Sequence, residues 1–348
     1  MILEELSPAS ASEWDAFVDA HPLATCYHLR AWQRVAEVAY GLDAPHLIAR
    51  ARPGGPIRGV LPLFIIGGPL GRYVATGLFG AYGHILTDGL PDDADVTCAL
   101  LEQARRITRG ARARYLLVKT LGSPSVPSGF ERRDTSVIAT LRLAADAAVL
   151  WKGFKDKQRN CIRKAQKSGF EHRTGSDQLA AFYDVLAGNM HRKGTPIYGF
   201  AVMRELALGL GDRAEVHTLW KDGQPVSGAL SIHYKGTFCV PFASSRHAYF
   251  KLNPNNLIYW EMIQRACALG CASFDFGRST RDSSTLAFKL TWGAVQTPQP
   301  FYIYTARGKP PSFDADDATV KRLANFWMSL PRPVADALGP TIYRNFLA

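Results

Sequence analysis

The stretch ASFDFGRSTRDSSTLAFKLTWGAV, residues 272–295, is the part of the chain from which we interpret the rest. It opens as a short alternating strand, with phenylalanines on one face and Asp275 on the other. A glycine and a loop rich in Ser, Thr and Asp follow, and the stretch closes on Phe288 and Lys289. Burying an ammonium group is costly unless it is paired, and functional sites tolerate that cost. A lysine among aromatic residues here therefore indicates a functional site.

The bulk composition predicts a globular protein with a basic surface. The chain has 348 residues, which suggests two domains or one large domain built from two similar halves. Its 47% apolar and 20% charged residues are typical of folded proteins. The formal charge of +11 favours polyanionic partners, such as nucleic acid, nucleotide-linked substrates or an anionic membrane surface. A basic protein without such a partner is the equally simple alternative.

The cysteines and the N-terminus predict a cytoplasmic protein without a structural metal. Six cysteines are scattered, with no CxxC pair and no zinc-like spacing to histidines. The N-terminal residues 1–14 are acidic and lack the apolar core of an export signal. The most apolar run, residues 59–71, is interrupted by glycine and proline and is too short to span a membrane.

Two matching segments indicate an internal duplication. Residues 54–61 read GGPIRGVL and residues 223–230 read GQPVSGAL, each at a predicted hairpin. A basic amphipathic helix near residues 151–173 lies between the halves. The order of helices and antiparallel strands predicts a mixed α/β acyltransferase domain in each half. We predict an N-terminal domain over 1–150, a C-terminal domain over 151–310 and a helical tail over 311–348.

The sequence resembles the FemABX family and its relatives in the GNAT superfamily, most closely the bacterial branch found beside exosortase and exopolysaccharide genes. The resemblance rests on the basic mid-chain helix, on MHRKGTP at residues 190–196, and above all on FDFGR…FK…WG within residues 274–293. It implies two tandem GNAT-like domains packed side by side, with C-terminal helices in addition. The long coiled-coil insertion of some members is missing here.

The resemblance also implies which residues act. Phe288 and Lys289 match the Phe-Lys pair at the aminoacyl-tRNA end of the family's site, where the lysine is thought to stabilise an oxyanion. The alternative is a lysine that extends past Phe288 to the surface. Asp275 is a candidate proton acceptor, or else the salt-bridge partner of Arg278 or Arg281.

Other residues are candidates for binding the substrates. Arginine binds phosphate and carboxylate in bidentate fashion, although cations at a helix end also complement the helix dipole. The candidates for substrate binding are Arg192, Lys193, Tyr198, Arg246, Arg278 and Trp292. The candidates for binding tRNA or another polyanion are Lys155, Lys157, Arg159, Arg163, Lys164 and Lys167, which otherwise form a solvated helix face.

Three functional hypotheses follow. The first is a FemAB-like transferase that moves an aminoacyl or acyl group onto an amine of a cell-envelope peptide or saccharide precursor. The second is an N-acyltransferase that uses acyl-coenzyme A or an acyl-carrier thioester. The third is a non-catalytic protein that binds RNA or an envelope-assembly complex. We expect no tightly bound cofactor, since the donor is aminoacyl-tRNA or acyl-coenzyme A. Residues 244–250 lack the glycines of a pyrophosphate-binding loop, which disfavours a conventional acetyl-coenzyme A site.

Overall fold

The computed structural model of the protein describes residues 1–68, 71–80, 82–90, 93–122, 124–308 and 318–347. The elements up to residue 133 are β1 (Ile2–Glu5), α1 (Ala11–Ala20), α2 (Ala31–Arg34, continued by a π-helical turn, Val35–Ala39), β2 (Leu47–Arg50), β3 (Ile57–Leu61), β4 (Phe64–Gly68), β5 (Gly71–Ala75), β6 (Leu86–Thr87), α3 (Asp93–Gly110), β7 (Tyr115–Lys119) and β8 (Glu131–Arg133).

The later elements begin with a strand at residue 136. They are β9 (Ser136–Arg142), α4 (Ala147–Gly153), α5 (Asp156–Gln166), β10 (Glu171–Thr174), α6 (Leu179–Arg192), α7 (Phe200–Leu210), β11 (Ala214–Lys221), β12 (Gln224–Tyr234), β13 (Thr237–Ser245), α8 (Pro254–Ala268), β14 (Ser273–Thr280), α9 (Ser284–Leu290), β15 (Val295–Pro298), β16 (Phe301–Thr305), α10 (Ala318–Ser329) and α11 (Arg332–Tyr343).

The described residues divide into two compact units. Unit 1 comprises residues 1–136, 298–308 and 342–347, and unit 2 comprises residues 137–297 and 318–341. Unit 1 holds a four-stranded sheet in the order β1-β2-β3-β6 and a five-stranded sheet in the order β4-β5-β7-β16-β8. Unit 2 is built on a seven-stranded sheet in the order β10-β11-β12-β13-β14-β9-β15.

The two units repeat the same order of elements. In unit 1 the order is β1, α1, α2, β2, then β3 and β4, then β5 and β6, then α3 and β7, so that two short strands stand in place of each of two long strands of unit 2. In unit 2 it is β10, α6, α7, β11, β12, β13, α8 and β14. In each unit the strand after the last of these helices pairs in parallel, β7 with β5 and β14 with β13. The duplication inferred from the two hairpins is therefore present in the fold.

The register of the repeat differs by one residue from the sequence match. The match aligned Gly59 with Gly228. A bulge in each hairpin instead makes Gly59, which pairs with Ala49, correspond to Ser227, which pairs with Leu219. Packing explains the difference. A methyl group on Gly59 would lie 2.7 Å from Val96 of α3, whereas one on Gly228 would lie 2.6 Å from Phe182 of α6. The two glycines thus make room for different helices.

Strand pairing also corrects the assigned domain boundaries. The predicted domain over residues 151–310 includes β16, but β16 pairs antiparallel with β7 and β8 and so belongs to unit 1. Conversely, most of β9, which fell within the predicted domain 1–150, lies in the sheet of unit 2. A strand joins the sheet whose backbone groups it can satisfy, and chain order does not decide which sheet that is.

The predicted C-terminal helices are present as α10 and α11. Residues 311–317 and 348 of the predicted tail lie outside the described residues. Both helices are anchored on α6. The His191 imidazole is bonded to the Leu330 carbonyl at 3.0 Å, and Arg332 of α11 forms an ion pair with Asp184. Ala324 of α10 packs so closely on Gly194 that a methyl group there would clash.

Candidate functional site

The candidate site lies where two parallel strands of unit 2 stop pairing. β13 and β14 pair from Thr237–Ser273 to Cys239–Asp275 and no further. Beyond this point β13 has a bulge, because Leu230 of β12 pairs with Phe242 while Ile232 pairs with Cys239. The bulged residues are Val240 and Pro241. Bulges re-aim a strand and are common beside active sites.

β14 has its own irregularity, a kink at Gly277. This glycine has φ +75°, a left-handed conformation that other residues adopt only at a cost. Its backbone N–H donates to Asp275 Oδ1 at 2.7 Å. The carbonyl oxygens of Gly277 and Arg278 accept hydrogen bonds from Lys289 Nζ at 2.8 and 3.0 Å. Asp275 and Lys289 thus both hold the kink in place. We call the four residues Asp275, Gly277, Arg278 and Lys289 the β14 kink.

Helix α9 brings Lys289 to this position. The Ser283 side chain caps the helix by accepting the N–H of Leu286 at 3.2 Å. The helix begins at Ser284, inside the stretch predicted to be a loop. One turn then places both Leu286 and Lys289 on its buried side. The serine-rich composition concealed a helix because serine is a poor helix former in the interior but a good N-cap.

The charge of Lys289 is perturbed by its surroundings. The side chain is only 4% exposed. Burial lowers its pKa from 10.5 to about 8, the nearby Asp275 and Cys239 oppose this effect, and the Arg278 guanidinium adds to it. At neutral pH the amine is therefore still mostly protonated. An ammonium has three N–H donors, and two of them bind the carbonyls of the kink. One donor is left for a further acceptor.

Phe288 and Trp292, the aromatic residues near Lys289 in the chain, differ in burial. Phe288 is partly buried and meets Tyr259 edge to face, with ring centroids 5.5 Å apart. Trp292 is 1% exposed and lies in the core against Phe154 and Phe276. Trp292, predicted to bind substrate, is thus a packing residue that supports the end of α9.

The other predicted substrate ligands lie in several places. Arg192 and Lys193 are exposed at the end of α6, where Arg192 donates to Asn189 Oδ1 at 3.0 Å. Tyr198 is buried, and its ring lies 5.5 Å from that of Phe242, just beyond the bulge of β13. Arg278 belongs to the β14 kink through its carbonyl, while its side chain is exposed.

Arg246, the remaining substrate candidate, is held in an ion pair. Its Nη2 donates to Asp184 Oδ2 at 2.5 Å, and the other oxygen of Asp184 binds Arg332. One carboxylate thus joins the end of β13 to α6 and α11. Arg246 acts as a structural link here, and no described contact joins it to the β14 kink.

The predicted polyanion-binding residues share one helix. The exposed ones, on or beside α5, are Lys155, Lys157, Arg163, Lys164 and Lys167. Arg159 differs, because its guanidinium donates to the Lys152 carbonyl at 3.0 Å and pairs with Asp156. Five of the six cations are therefore presented to solvent, while Arg159 fastens the start of the helix.

Sequence reasoning missed Gln158, which lies on the buried side of α5. It is 4% exposed, and its Oε1 accepts hydrogen bonds from Asn256 at 3.3 Å and from Thr291 at 3.2 Å. It thus joins α5 to the start of α8 and to the residue after α9. The signal in the sequence was a lone glutamine among the apolar positions Phe154, Ile162 and Ala165.

The segment between β13 and α8 differs from a glycine-rich phosphate loop. Residues His247–Leu252 form a 3₁₀ helix, and Asn253, with φ +58°, leads into α8. Among the described residues, no group of three His, Cys, Asp or Glu side chains is arranged to hold a metal ion. No helix in the described ranges is long and apolar enough to cross a membrane.

Comparisons with known proteins identify the fold. Residues 152–289 match the family model described as an acetyltransferase (GNAT) domain. FemX superposes with a TM-score of 0.66 at 16% identity, covering 88% of this chain and 97% of its own. A tandem GNAT protein from the clavulanic acid pathway gives 0.59 at 12% identity, covering 89% and 99%. L-PGS from Bacillus licheniformis gives 0.54 at 10% identity, covering 95% and 100%.

No curated protein sequence matches the chain significantly. At these identities the structural matches establish the fold, and they confirm the predicted mixed α/β architecture of two GNAT-like units with C-terminal helices. The matched domain contains α5, the diverging strands β13 and β14, and Lys289. Residues 152–289 therefore match a domain of the acetyltransferase (GNAT) type, and the chain as a whole has a fold similar to that of FemX.

Proposed function

We propose that the protein transfers an aminoacyl or acyl group to an amine of a cell-envelope peptide or saccharide precursor, with the chemistry at the β14 kink. The observation that carries the proposal is the buried Lys289, held on two backbone carbonyls where β13 and β14 part. A polarised donor at the divergence of two strands suits a reaction that generates negative charge. The FemX-like fold and the GNAT domain support the class of reaction.

In the proposed step, the neutral amine of the acceptor attacks the carbonyl carbon of the donor ester or thioester. The C–N bond forms and the carbonyl oxygen becomes an oxyanion, which accepts the third N–H of Lys289 Nζ. When the intermediate collapses, the C–O or C–S bond breaks, and the leaving oxygen or sulfur receives the proton that the amine loses. One preorganised donor of this kind lowers a barrier by roughly 3–4 kcal/mol.

Asp275 takes a positioning role in this proposal. One of its oxygens accepts the Gly277 N–H, and the other lies 3.9 Å from Cys239 Sγ. Its charge also raises the pKa of Lys289 and so keeps the ammonium protonated. Both effects serve the lysine. A base that removes the proton of the attacking amine would instead need a free oxygen directed at the substrate.

The donor that we favour is aminoacyl-tRNA. The exposed cations of α5 fit a phosphodiester backbone, and the segment after β13 is a 3₁₀ helix without the glycines that let backbone N–H groups surround a pyrophosphate. Acyl-coenzyme A is the alternative donor, and a non-catalytic RNA-binding protein is the alternative function.

A donor screen tests the proposal. The purified chain is incubated with amine acceptors and either an aminoacyl-tRNA pool or an acyl-coenzyme A pool, and products are identified by mass spectrometry. We expect an acceptor whose mass rises by an aminoacyl residue, and a rate of product formation lower by 100-fold or more with Lys289→Ala. Turnover only with acyl-coenzyme A would replace the donor. Retained RNA binding without turnover on any donor would favour the non-catalytic function.

A further inference from the structure

One end of the five-stranded sheet of unit 1 carries arginines on three adjacent strands. The N–H of Arg114, just before β7, donates to the carbonyl of Arg72 in β5 at 2.8 Å. The carbonyl of Arg114 accepts the N–H groups of Ala306 and Arg307, just after β16, at 2.8 and 3.0 Å. Because hydrogen-bonded strands lie about 5 Å apart, the three arginines follow one another across the end of the sheet.

The end of α3 and the turn after it add two more arginines. Arg109 Nη1 donates to the hydroxyl of Tyr304 in β16 at 3.2 Å. Arg72 Nη1 reaches the carbonyl of Ala111 at 3.5 Å, directly before Arg112. We define the arginine edge by its five residues, which are Arg72, Arg109, Arg112, Arg114 and Arg307.

The arginine edge is exposed and not neutralised. All five residues are exposed, and none forms an ion pair with a carboxylate in the described part of the chain. Other arginines of unit 1 do form such pairs: Arg30 with Asp15, Arg58 with Asp88 and Arg105 with Glu102. A cluster of like charges without counter-ions is a repulsive arrangement that a polyanion would relieve.

The chemistry of the edge favours phosphates over lipid. Its cations are all arginines, whose planar guanidinium groups match phosphate oxygens in bidentate fashion. One aromatic ring lies beside them, since Arg109 donates to the Tyr304 hydroxyl and the Arg105 guanidinium lies 4.3 Å from the Tyr304 ring. A membrane-binding surface would also need large exposed apolar side chains. Among the described residues, those exposed apolar side chains lie elsewhere.

We propose that the arginine edge is a second polyanion-binding surface of the protein and that it binds the phosphodiester backbone of a nucleic acid strand. Because backbone phosphates carry no sequence information, recognition by this edge is independent of sequence and strongly dependent on salt. The surface belongs to unit 1 and shares no residue with α5 or the β14 kink. Only the identity of that strand as the donor tRNA rests on the proposed function.

Fluorescence anisotropy with a labelled oligouridylate tests the edge. The triple variant Arg72→Gln, Arg114→Gln, Arg307→Gln should bind about 10-fold more weakly at moderate salt. Between about 50 and 200 mM KCl, the slope of log Kd against log salt should fall by about 2, since each phosphate contact contributes about 0.7 for a single strand. The triple variant has three positive charges fewer than the wild type.

The matched control is Arg52→Gln, Arg142→Gln, Arg213→Gln, which removes the same charge from exposed arginines outside the edge. It should bind oligouridylate nearly as well as the wild type, and thermal melting should show that both triple variants are folded. Equal losses in the two variants, or wild-type binding by the edge variant, would overturn the proposal. So would an unchanged affinity for RNA together with a lost affinity for phosphatidylglycerol vesicles.

Failure of this proposal is distinguishable from failure of the proposed function. With aminoacyl-tRNA as donor, the edge variant should show a raised KM and a nearly unchanged kcat, whereas Lys289→Ala should bind oligouridylate normally. An edge variant that loses RNA binding supports the edge even when no donor is turned over. Normal RNA binding by the edge variant refutes the edge even when turnover is found.

Discussion

The corresponding pairs of parallel strands, β5 with β7 in unit 1 and β13 with β14 in unit 2, separate in different ways. In unit 2, β13 and β14 separate after Cys239 and Asp275, and β13 continues through a two-residue bulge to rejoin β12. In unit 1, β5 and β7 separate after Ala75 and Leu117, and the next strand along the chain, β6, begins at Leu86 and pairs with β3. A longer connection between Ala75 and Leu86 in unit 1 thus stands where unit 2 has a bulge.

Several side chains of this connection are buried within unit 1. Leu78, Tyr82 and His84 are each at most 5% exposed. Tyr82 lies 4.5 Å from the ring of Tyr27, and His84 lies 4.5 Å from that of His28. Burial lowers the pKa of His84 to about 4, so the ring stays neutral at physiological pH. Unit 1 has used this part of the duplicated fold for packing, while unit 2 has a buried lysine and a kinked strand there.

The sharpest test of this comparison is a lysine substitution in each unit. Lys289→Met should lower kcat by 100-fold or more, about the loss expected for one oxyanion donor. Lys119→Met, which removes the buried lysine of β7 in unit 1, should change kcat less than threefold if it folds. Turnover is measured with the donor found in the screen, and thermal melting checks both variants. Equal losses of kcat in the two variants would contradict a catalytic role that belongs to Lys289 alone.

The pH dependence of turnover should report the protonation state of Lys289. With the pKa of Lys289 near 8, kcat should fall as pH rises above about 8, by up to tenfold per pH unit, since the neutral amine is a weaker donor. Lys289→Arg should lower kcat but abolish this decline, because arginine stays charged. A wild-type profile that rises continuously to pH 10 would show that the charge of Lys289 does not assist the reaction.

The free energy of unfolding should rise as Lys289 loses its proton, whereas kcat should fall. The pKa of Lys289 is lower in the folded chain than the ordinary 10.5, so between pH 8 and 10.5 the unfolded chain binds more protons. The free energy of unfolding therefore rises with pH across this window, by about 3 kcal/mol for the full difference. Lys289→Met should lack this rise when unfolding is measured in urea at each pH. An identical pH dependence in the two proteins would contradict the shift.

Alanine substitutions at two glycines distinguish the effect of the β14 kink on turnover from the effect of a strained residue on stability. Gly277→Ala and Gly223→Ala both place a methyl group on a residue with φ near +75°, and each should cost about 1–2 kcal/mol. Gly223 lies at a hairpin turn with open space around it, whereas Gly277 presents the carbonyl that binds Lys289. Turnover should fall about tenfold only in Gly277→Ala, since small misplacements of catalytic groups reduce rates on this scale.

The smallest effect that we expect is that of Asp275→Asn. The amide oxygen can still accept the Gly277 N–H, so the kink persists, and kcat at neutral pH should fall only a few-fold. Loss of the negative charge should lower the pKa of Lys289 and move the decline in kcat to a lower pH. A loss of 1,000-fold with an unchanged profile would restore Asp275 as the general base.

Several local features could be predicted from the sequence. The apolar faces of α1 and α6, the turn at Gly223 and the alternating pattern of β14 depend on neighbours within a few residues, so periodicity reveals them. The importance of Phe288 and Lys289 came from the family resemblance, and their roles remain proposals. The helix that carries Lys289 was missed because its serines favour caps and turns as well as loops.

The sequence by itself determined the alternation of helices and strands, the duplicated hairpins and the position of a lysine next to aromatic residues in the chain. The tertiary structure decided that β16 joins unit 1, that Gly59 corresponds to Ser227, and that Lys289 binds the carbonyls of Gly277 and Arg278. The physical reason is the range of the interactions. Periodicity and turn preference act over a few residues, whereas strand partners and the ligands of a buried charge are chosen among groups far apart in the chain.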